Sequence, residues 1–254
     1  SGAHSEPMGK SNLGATQSAV VSRSLPLERK IVASKAYYNM FTKFMFYNGF
    51  PWTNKGLYEF GHHGGFLNGG LDRSLRVIHY AYPDDPILNY LKHSYEDGDT
   101  GKSRLNPRTY AQESWAVALT MPQDWTGPVD IIEHRQQVVK KLDLPLGYFS
   151  DFRGQMTSYS DWSRDALQLF FVPRNQRVGH AQAIRGMFAI NALGRQWVIG
   201  RTYDHNDGHG SVPAKNSVIT VDGKAGDTSA AKLLFYSGAS EYKGATFDIL
   251  SSDL

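Results

Sequence analysis

Apolar residues in the first part of the chain recur at the spacing of a helix. In segment 30–48 they lie three and four positions apart, which favours a helix with one buried face. Asn48, Gly49 and Pro51 then predict its end. Proline or a Gly-Asp pair separates the other segments with a helical pattern, which are 71–82, 87–97, 109–120 and 129–142. The pattern predicts an array of short antiparallel helices up to about Leu144.

After Pro145 the spacing of apolar residues changes to the two-residue period of a strand. The segments with this pattern are 155–159, 166–171, 187–193, 196–199, 218–221, 233–236 and 247–250. Turn signals separate several of them, at Gly194 with Arg195, at Asp222 with Gly223 and at Ser237 with Gly238. Short strands joined by tight turns predict an antiparallel meander.

The change of period divides the chain into three parts. Residues 1–29 are mostly small and polar and show no period, so they are expected to form a flexible lead-in. The second part, 30–144, is helical, and the third, 145–254, is an antiparallel β domain. The predicted fold class is therefore α+β, with the helices before the strands.

Composition narrows the classes of function. The chain has 254 residues, of which 41% are apolar, enough for a substantial core in one large domain or two ordinary ones. A net charge of +3 falls short of the dense basic face of a nucleic-acid binder. The absence of cysteine excludes disulfides and thiolate metal sites. No apolar run approaches the ~20 residues that span a bilayer, so no membrane span is expected.

Two segments carry the most specific sequence signals. Segment 179–223 begins His-Ala-Gln-Ala at His180 and continues with an apolar run ending Ala-Leu-Gly-Arg-x-Trp at Trp197. A polar loop and Asn-Ser-Val-Ile-x-Val-Asp-Gly complete it. Segment 144–171 has a Ser/Asp-Trp turn followed by an apolar strand. In this order the segments resemble the β-domain of heparinase II/III-like polysaccharide lyases.

The resemblance implies a fold made of two units. In such lyases a helical toroid, often an incomplete ring of α-hairpins, precedes an antiparallel β-sandwich, and the active cleft lies between them. Here the toroid would be incomplete, and the sandwich would stop before its further strands. The expected partner is therefore the remaining part of the same fold, as a further segment or as a second chain. A compact variant with a smaller sandwich is the alternative.

The resemblance also implies a reaction, the β-elimination of an anionic polysaccharide that contains uronic acid. The C5 proton beside the carboxylate is weakly acidic, so the site needs a base and a group that neutralises the carboxylate. His180 matches the cleft histidine of the family, and Tyr58 and His63 lie in a glycine-rich segment that could supply base and neutralising group. Tyr203 follows a strand at a place where the family often has a tyrosine.

Four further residues are candidates for substrate binding: His62, Gln182, Arg185 and Arg201. The planar donors of arginine suit sugar carboxylates or sulfates, although an arginine on a sheet face is more often a solvated charge.

Each group of candidate catalytic residues has a structural alternative. Instead of acting in the cleft, His180 could cap a strand through a backbone hydrogen bond. Segment 56–74, which holds Tyr58, His62 and His63, could be a plain loop.

Relatives in this family commonly hold a zinc ion with two histidines and an aspartate. The corresponding positions here carry Gln182, Gly200 and Lys215, and Ile184 replaces an acid, so no cofactor is expected. Segment 204–209 has two histidines and two aspartates that could bind another metal, but a solvated loop is the alternative.

The sequence leads to one principal hypothesis and two alternatives. The principal hypothesis is a polysaccharide lyase that works without a metal, using His180 with Tyr58. One alternative is a non-catalytic glycan-binding or structural subunit that keeps the fold, and the other is a helical scaffold unrelated to sugars. The resemblance implies secretion or a periplasmic location, although no signal peptide opens the chain.

Overall fold

A computed structural model of the chain describes eleven stretches. They are residues 38–52, 78–79, 82–96, 130–150, 155–172, 186–198, 217–218, 220–222, 224–225, 232–239 and 242–248. These residues form a few helices and an antiparallel sheet, so the fold is of the α+β type. No helix among them is both long and apolar enough to cross a membrane.

The first helix is short and begins with a wider turn. A π-helical turn at Met40–Phe44 leads into α1, Met45–Asn48, whose residues are all buried. Gly49 then takes an extended conformation and its N–H donates to the Met45 carbonyl at 3.1 Å. The predicted end of this helix at Asn48 is confirmed.

The next two helices begin at aspartate caps. Helix α2, Pro86–Glu96, has proline in its first turn, and Asp85 Oδ1 accepts from the Leu88 N–H at 2.9 Å. Helix α3, Ile131–Leu142, is capped by Asp130, which accepts from two backbone N–H groups. It ends where Asp143 adopts a left-handed conformation with φ 48°. The helices predicted after Pro86 and at 129–142 are confirmed, whereas the one at 109–120 lies outside the described residues.

Five strands form an antiparallel meander in which each strand pairs with the next. They are β1 Gly147–Ser150, β2 Gln155–Tyr159, β3 Gln168–Val172, β4 Met187–Ala192 and β5 Arg195–Val198. Two hairpins follow, formed by β6 Thr220–Val221 with β7 Lys224–Ala225 and by β8 Lys232–Ala239 with β9 Tyr242–Asp248. The antiparallel meander predicted after Pro145 is therefore confirmed for the described strands.

Several details of the predicted strands differ from the structure. The turn predicted at Gly194 and Arg195 is formed by Leu193 and Gly194, β9 begins at Tyr242 rather than at residue 247, and β7 was not predicted. The turn predicted at Ser237 and Gly238 is wrong, because both residues lie inside β8 and pair with Gly244 and Lys243 of β9. Small residues there fit a paired strand because its register is set by the partner strand rather than by local turn preference. Strand β1 was not predicted, since Gly-Tyr-Phe-Ser has no alternation and its pairing with β2 makes it a strand.

Helices and sheet share one hydrophobic core. Phe46 and Tyr47 of α1, Leu88 of α2, Val138 of α3 and Tyr159 of β2 belong to the same buried cluster. Burying such side chains contributes about 1.5–3 kcal/mol each, which is the main force holding the helices on the sheet. A smaller buried cluster joins Phe50, which follows α1, to Phe170 of β3 and to Met187 and Ala189 of β4.

Candidate functional site

The catalytic and substrate-binding residues expected from the sequence lie outside the described residues. They are Tyr58, His62, His63, His180, Gln182, Arg185, Arg201 and Tyr203. The same holds for Ile184, Gly200, Lys215 and segment 204–209 of the metal hypothesis. Among the residues that the structure does describe, no three histidine or acidic side chains come together as a metal site.

The end of α1 is joined to the sheet by buried hydrogen bonds. Asn48 is fully buried, and its Oδ1 accepts from Gln155 Nε2 and from Thr157 Oγ1, both at 2.8 Å. Its Nδ2 donates to the carbonyl of Phe44 at 2.8 Å. One amide side chain therefore connects the last turn of the helix to two residues of β2.

A second group of polar side chains continues this network across the sheet. The Tyr159 hydroxyl lies 2.7 Å from the Tyr47 carbonyl oxygen and 2.8 Å from that of Gly49, and it accepts from Gln168 Nε2 at 2.6 Å. Gln168 Oε1 in turn accepts from Asn191 Nδ2 at 2.8 Å. Side chains of β2, β3 and β4 thus fix the chain where it leaves α1.

Arg135 of α3 places a positive charge inside the core. Its side chain is 1% exposed, and its guanidinium carbon lies 4.7 Å from the ring centre of Tyr159, 4.9 Å from that of Trp162 and 5.5 Å from that of Phe46. In the described part of the chain its guanidinium nitrogens make no hydrogen bond of regular geometry, although the Tyr159 hydroxyl lies near enough for Arg135 to lower the pKa of that tyrosine by charge and hydrogen bonding. The faces of the three rings are therefore the main compensation for the buried charge.

Burial changes the acidity of Tyr159, one of the three aromatic residues that form a cage around Arg135, with Phe46 and Trp162. Loss of solvent raises the pKa of Tyr159 to about 12, and the Arg135 charge opposes that rise. Burial also raises the pKa of Tyr90, again against the charge of Arg135. Both hydroxyls are neutral at ordinary pH, so neither is an activated base.

Alkaline pH is expected to destabilise the protein through Tyr159. The unfolded phenol loses its proton near pH ~10, but the folded phenol, with its pKa raised to about 12, holds the proton longer. The contribution of Tyr159 to the free energy of unfolding is therefore fully present below pH ~10. It falls by about 2–3 kcal/mol as the pH rises to ~12. Urea unfolding at several pH values measures this fall. In Tyr159→Phe the fall should be smaller, and an equal fall in both proteins would contradict the assignment.

The hairpin of β4 and β5 carries the Ala-Leu-Gly-Arg-x-Trp motif, residues 192–197. Leu193 and Gly194 form its two-residue turn with φ of 52° and 72°, a pair of positive values that suits the twist of a hairpin. A register shift leaves Trp197 between two cross-strand pairs, Asn191 with Gln196 and Ile190 with Val198. This is a β-bulge, which bends the strand and re-aims a side chain.

The motif also presents an aromatic ring and a cation to solvent. Trp197 is 58% exposed, and its Nε1 donates to the Ala192 carbonyl at 3.0 Å. The Arg195 guanidinium carbon lies 5.6 Å from the centre of the Trp197 ring. The indole is thus held in place while much of its surface stays open.

The roles of Arg135, Arg195 and Trp197 were not predicted from the sequence, although a local signal existed for each. Ile131, Arg135 and Val138 lie at helical spacing, so Arg135 occupies the apolar face of α3. In the strand Arg-Gln-Trp-Val the two-residue period places Arg195 and Trp197 on one face. No local signal marks the buried role of Asn48, because its partners are more than 100 positions away.

Comparison of the sequence with models of known protein families gives no match, and a search of curated proteins finds no relative. The function is therefore inferred from the residues and from the geometry of the described elements. Two features bear on it: the helices packed on an antiparallel sheet, and the exposed Arg195 and Trp197 on the β4–β5 hairpin.

Proposed function

We propose that this chain is a lyase-like protein that cleaves an anionic, uronic-acid-containing polysaccharide by β-elimination. The observation that supports it is the packing of α1, α2 and α3, through one core, against a five-stranded antiparallel meander. That order of helices and strands is the order expected of heparinase II/III-like lyases. The segment that resembles the family includes the β4–β5 hairpin.

The finer architecture belongs to the same proposal. The helices are part of an incomplete toroid, and the strands are part of a β-sandwich. Strand β8 contacts the edge strand β1 without pairing with it, so the β8–β9 pair lies next to the meander. The cleft lies between the helical and the β part, and a further segment or a second chain completes the fold.

The chemistry assigned to the cleft needs no metal. Tyr58 removes the C5 proton, with His180 and His63 neutralising the neighbouring carboxylate and Tyr203 facing the cleft. A C4–C5 double bond forms as the C4–O bond breaks, and the leaving oxygen gains a proton. The amide, glycine and lysine at Gln182, Gly200 and Lys215 do not fit the zinc of relatives, so no step passes through a metal.

Ultraviolet absorbance tests the proposed reaction, because the new double bond absorbs where the substrate does not. We expect absorbance to rise when the full chain is mixed with a member of a panel of uronate polysaccharides. The rise should continue in the presence of EDTA. His180→Ala and Tyr58→Phe should each lower the rate by about 100-fold or more. Tyr148→Phe, at a half-buried tyrosine stacked on Tyr47, is the matched control and should keep the rate.

Two results would count against this assignment. Activity lost in EDTA and restored by zinc would contradict the metal-independent reaction. No absorbance rise with any uronate polysaccharide, from the assembly that the further segment or second chain completes, would refute the lyase. A non-catalytic glycan-binding protein is then the second candidate, and the exposed indole of Trp197 beside Arg195 favours it.

A further inference from the structure

The exposed surface of the β4–β5 hairpin is unusual in the described part of the chain. In the described part of the chain the large apolar side chains that are exposed are those of Leu142, Leu167, Leu193 and Trp197. Trp197 is the one aromatic residue among these four. Leu193 and Trp197 lie on the same hairpin and are 65% and 58% exposed. Exposed apolar surface in one place marks a binding surface more often than isolated apolar residues do.

The indole of Trp197 is held rigidly although it is exposed. Its Nε1 donates across the hairpin to the Ala192 carbonyl at 3.0 Å, and Arg195 lies on the same strand face two residues away. The guanidinium carbon is 5.6 Å from the centre of the ring. Because the hydrogen bond already orients the indole, little conformational entropy of Trp197 would be lost when a ligand binds.

The two side chains match the two parts of a uronate sugar. One face of a pyranose ring consists mainly of C–H groups, which pack well on the electron-rich face of an indole. The carboxylate at the edge of the sugar accepts paired hydrogen bonds from the planar donors of a guanidinium. We propose that Arg195 and Trp197 form a binding subsite for one uronate unit of an anionic polysaccharide.

The choice of a uronate as ligand rests on the proposed function. The subsite itself belongs to the outer face of the hairpin and uses none of the residues assigned to catalysis. It would hold the polymer by one sugar unit while another part of the chain acts on it.

The backbone of β5 argues against a protein strand as the occupant of this surface. In the described sheet β5 is an edge strand, and an edge can add a strand from another molecule. The bulge at Trp197 breaks the regular spacing of the N–H and carbonyl groups that such a strand would need. The positive charge of Arg195 also fits an anionic sugar better than it fits a second copy of the same hairpin, which carries the same charge.

Binding of an oligouronate to the full chain tests the subsite, measured by calorimetry and by tryptophan fluorescence. Trp197→Ala should weaken binding at least tenfold, both to the oligouronate and to the same oligosaccharide with its carboxyl groups reduced. Arg195→Ala should weaken binding of the oligouronate about tenfold and leave the reduced ligand unaffected. Arg164→Ala, at an exposed arginine of the β2–β3 loop, is the matched control and should bind as the parent does.

Unchanged oligouronate binding by Trp197→Ala, with the melting temperature intact, would overturn the subsite. Equal losses for charged and reduced ligand in Arg195→Ala would overturn the role of its charge. A parent dimer that Trp197→Ala converts to a monomer in sedimentation would make a second copy the occupant and overturn the subsite.

Catalysis and the subsite fail separately. If the parent chain gives no absorbance rise but binds the oligouronate, and Trp197→Ala abolishes that binding, the lyase activity is refuted and the subsite is supported. If the parent chain is active and Trp197→Ala binds the oligouronate as the parent does, the lyase activity is supported and the subsite is refuted.

Discussion

Replacing Asn48 with alanine is expected to lower the free energy of unfolding by about 3–5 kcal/mol. The alanine would leave Gln155 Nε2 and the Thr157 hydroxyl without the acceptor that each now has at 2.8 Å. A buried polar group without a partner costs about 1–3 kcal/mol, and two are created here. The small cavity left by the amide adds to the loss. Urea unfolding followed by circular dichroism measures the change.

Two further variants test whether the amide itself is responsible. Asn39→Ala is the matched control, because Asn39 is half-buried at the start of the π-helical turn and makes no capping hydrogen bond. It should change stability by less than about 0.5 kcal/mol. Asn48→Asp keeps the acceptor but buries a charge, so it should also be destabilising at neutral pH and less so in acid. A loss below about 1 kcal/mol in Asn48→Ala would show that the network contributes little.

Replacing Arg135 with alanine is expected to cost about 3–5 kcal/mol, whereas replacing it with methionine should cost less than about 1 kcal/mol. Alanine empties the space between the rings of Phe46, Tyr159 and Trp162. Methionine fills most of that space without a charge. It loses a cation–π attraction of about 2 kcal/mol but avoids the larger cost of keeping a cation away from water. Thermal and urea unfolding of both variants measure the difference.

The acidity of Tyr159 gives a second readout for these variants. Because the Arg135 charge lowers the pKa of Tyr159, removing that charge should move the tyrosine titration to still higher pH. Ultraviolet titration of tyrosinate detects such a movement. Equal destabilisation by methionine and alanine would contradict the packing role and would show that the fold requires the charge at Arg135.

Local signals in the sequence predicted the elements that local chemistry determines. Helix α3 follows from its apolar spacing, and the structure adds the Asp130 cap, whose bonds lie within four consecutive residues. Strand β2 follows from alternation, and its predicted bounds equal the observed ones. Strand β1 and the pairing of Ser237 with Gly244 could not be predicted, since a partner strand decides them.

The candidate site was predictable to a smaller extent. The motif that ends at Trp197 marked the hairpin, but only the fold shows that Arg195 and Trp197 share an open face with a fixed indole. Spacing placed Arg135 on a helix face, whereas the rings around it come from α1, β2 and the loop after β2. Positions distant in sequence build this cage, so propensity and motif carry no information about it.

The hydrogen bonds at the end of α1 also affect when the chain can fold. The Asn48 side-chain oxygen and the Gly49 carbonyl accept from donors that follow them by 107 to 119 residues. During synthesis at ~5–20 residues per second, α1 therefore waits several seconds before its polar partners leave the ribosome. Closing such long loops is slow, and until then the apolar surface of Met45, Phe46 and Tyr47 has no sheet to cover it. Helix α1 is therefore made early, and its polar groups find their partners only after β2 and β3 have been made.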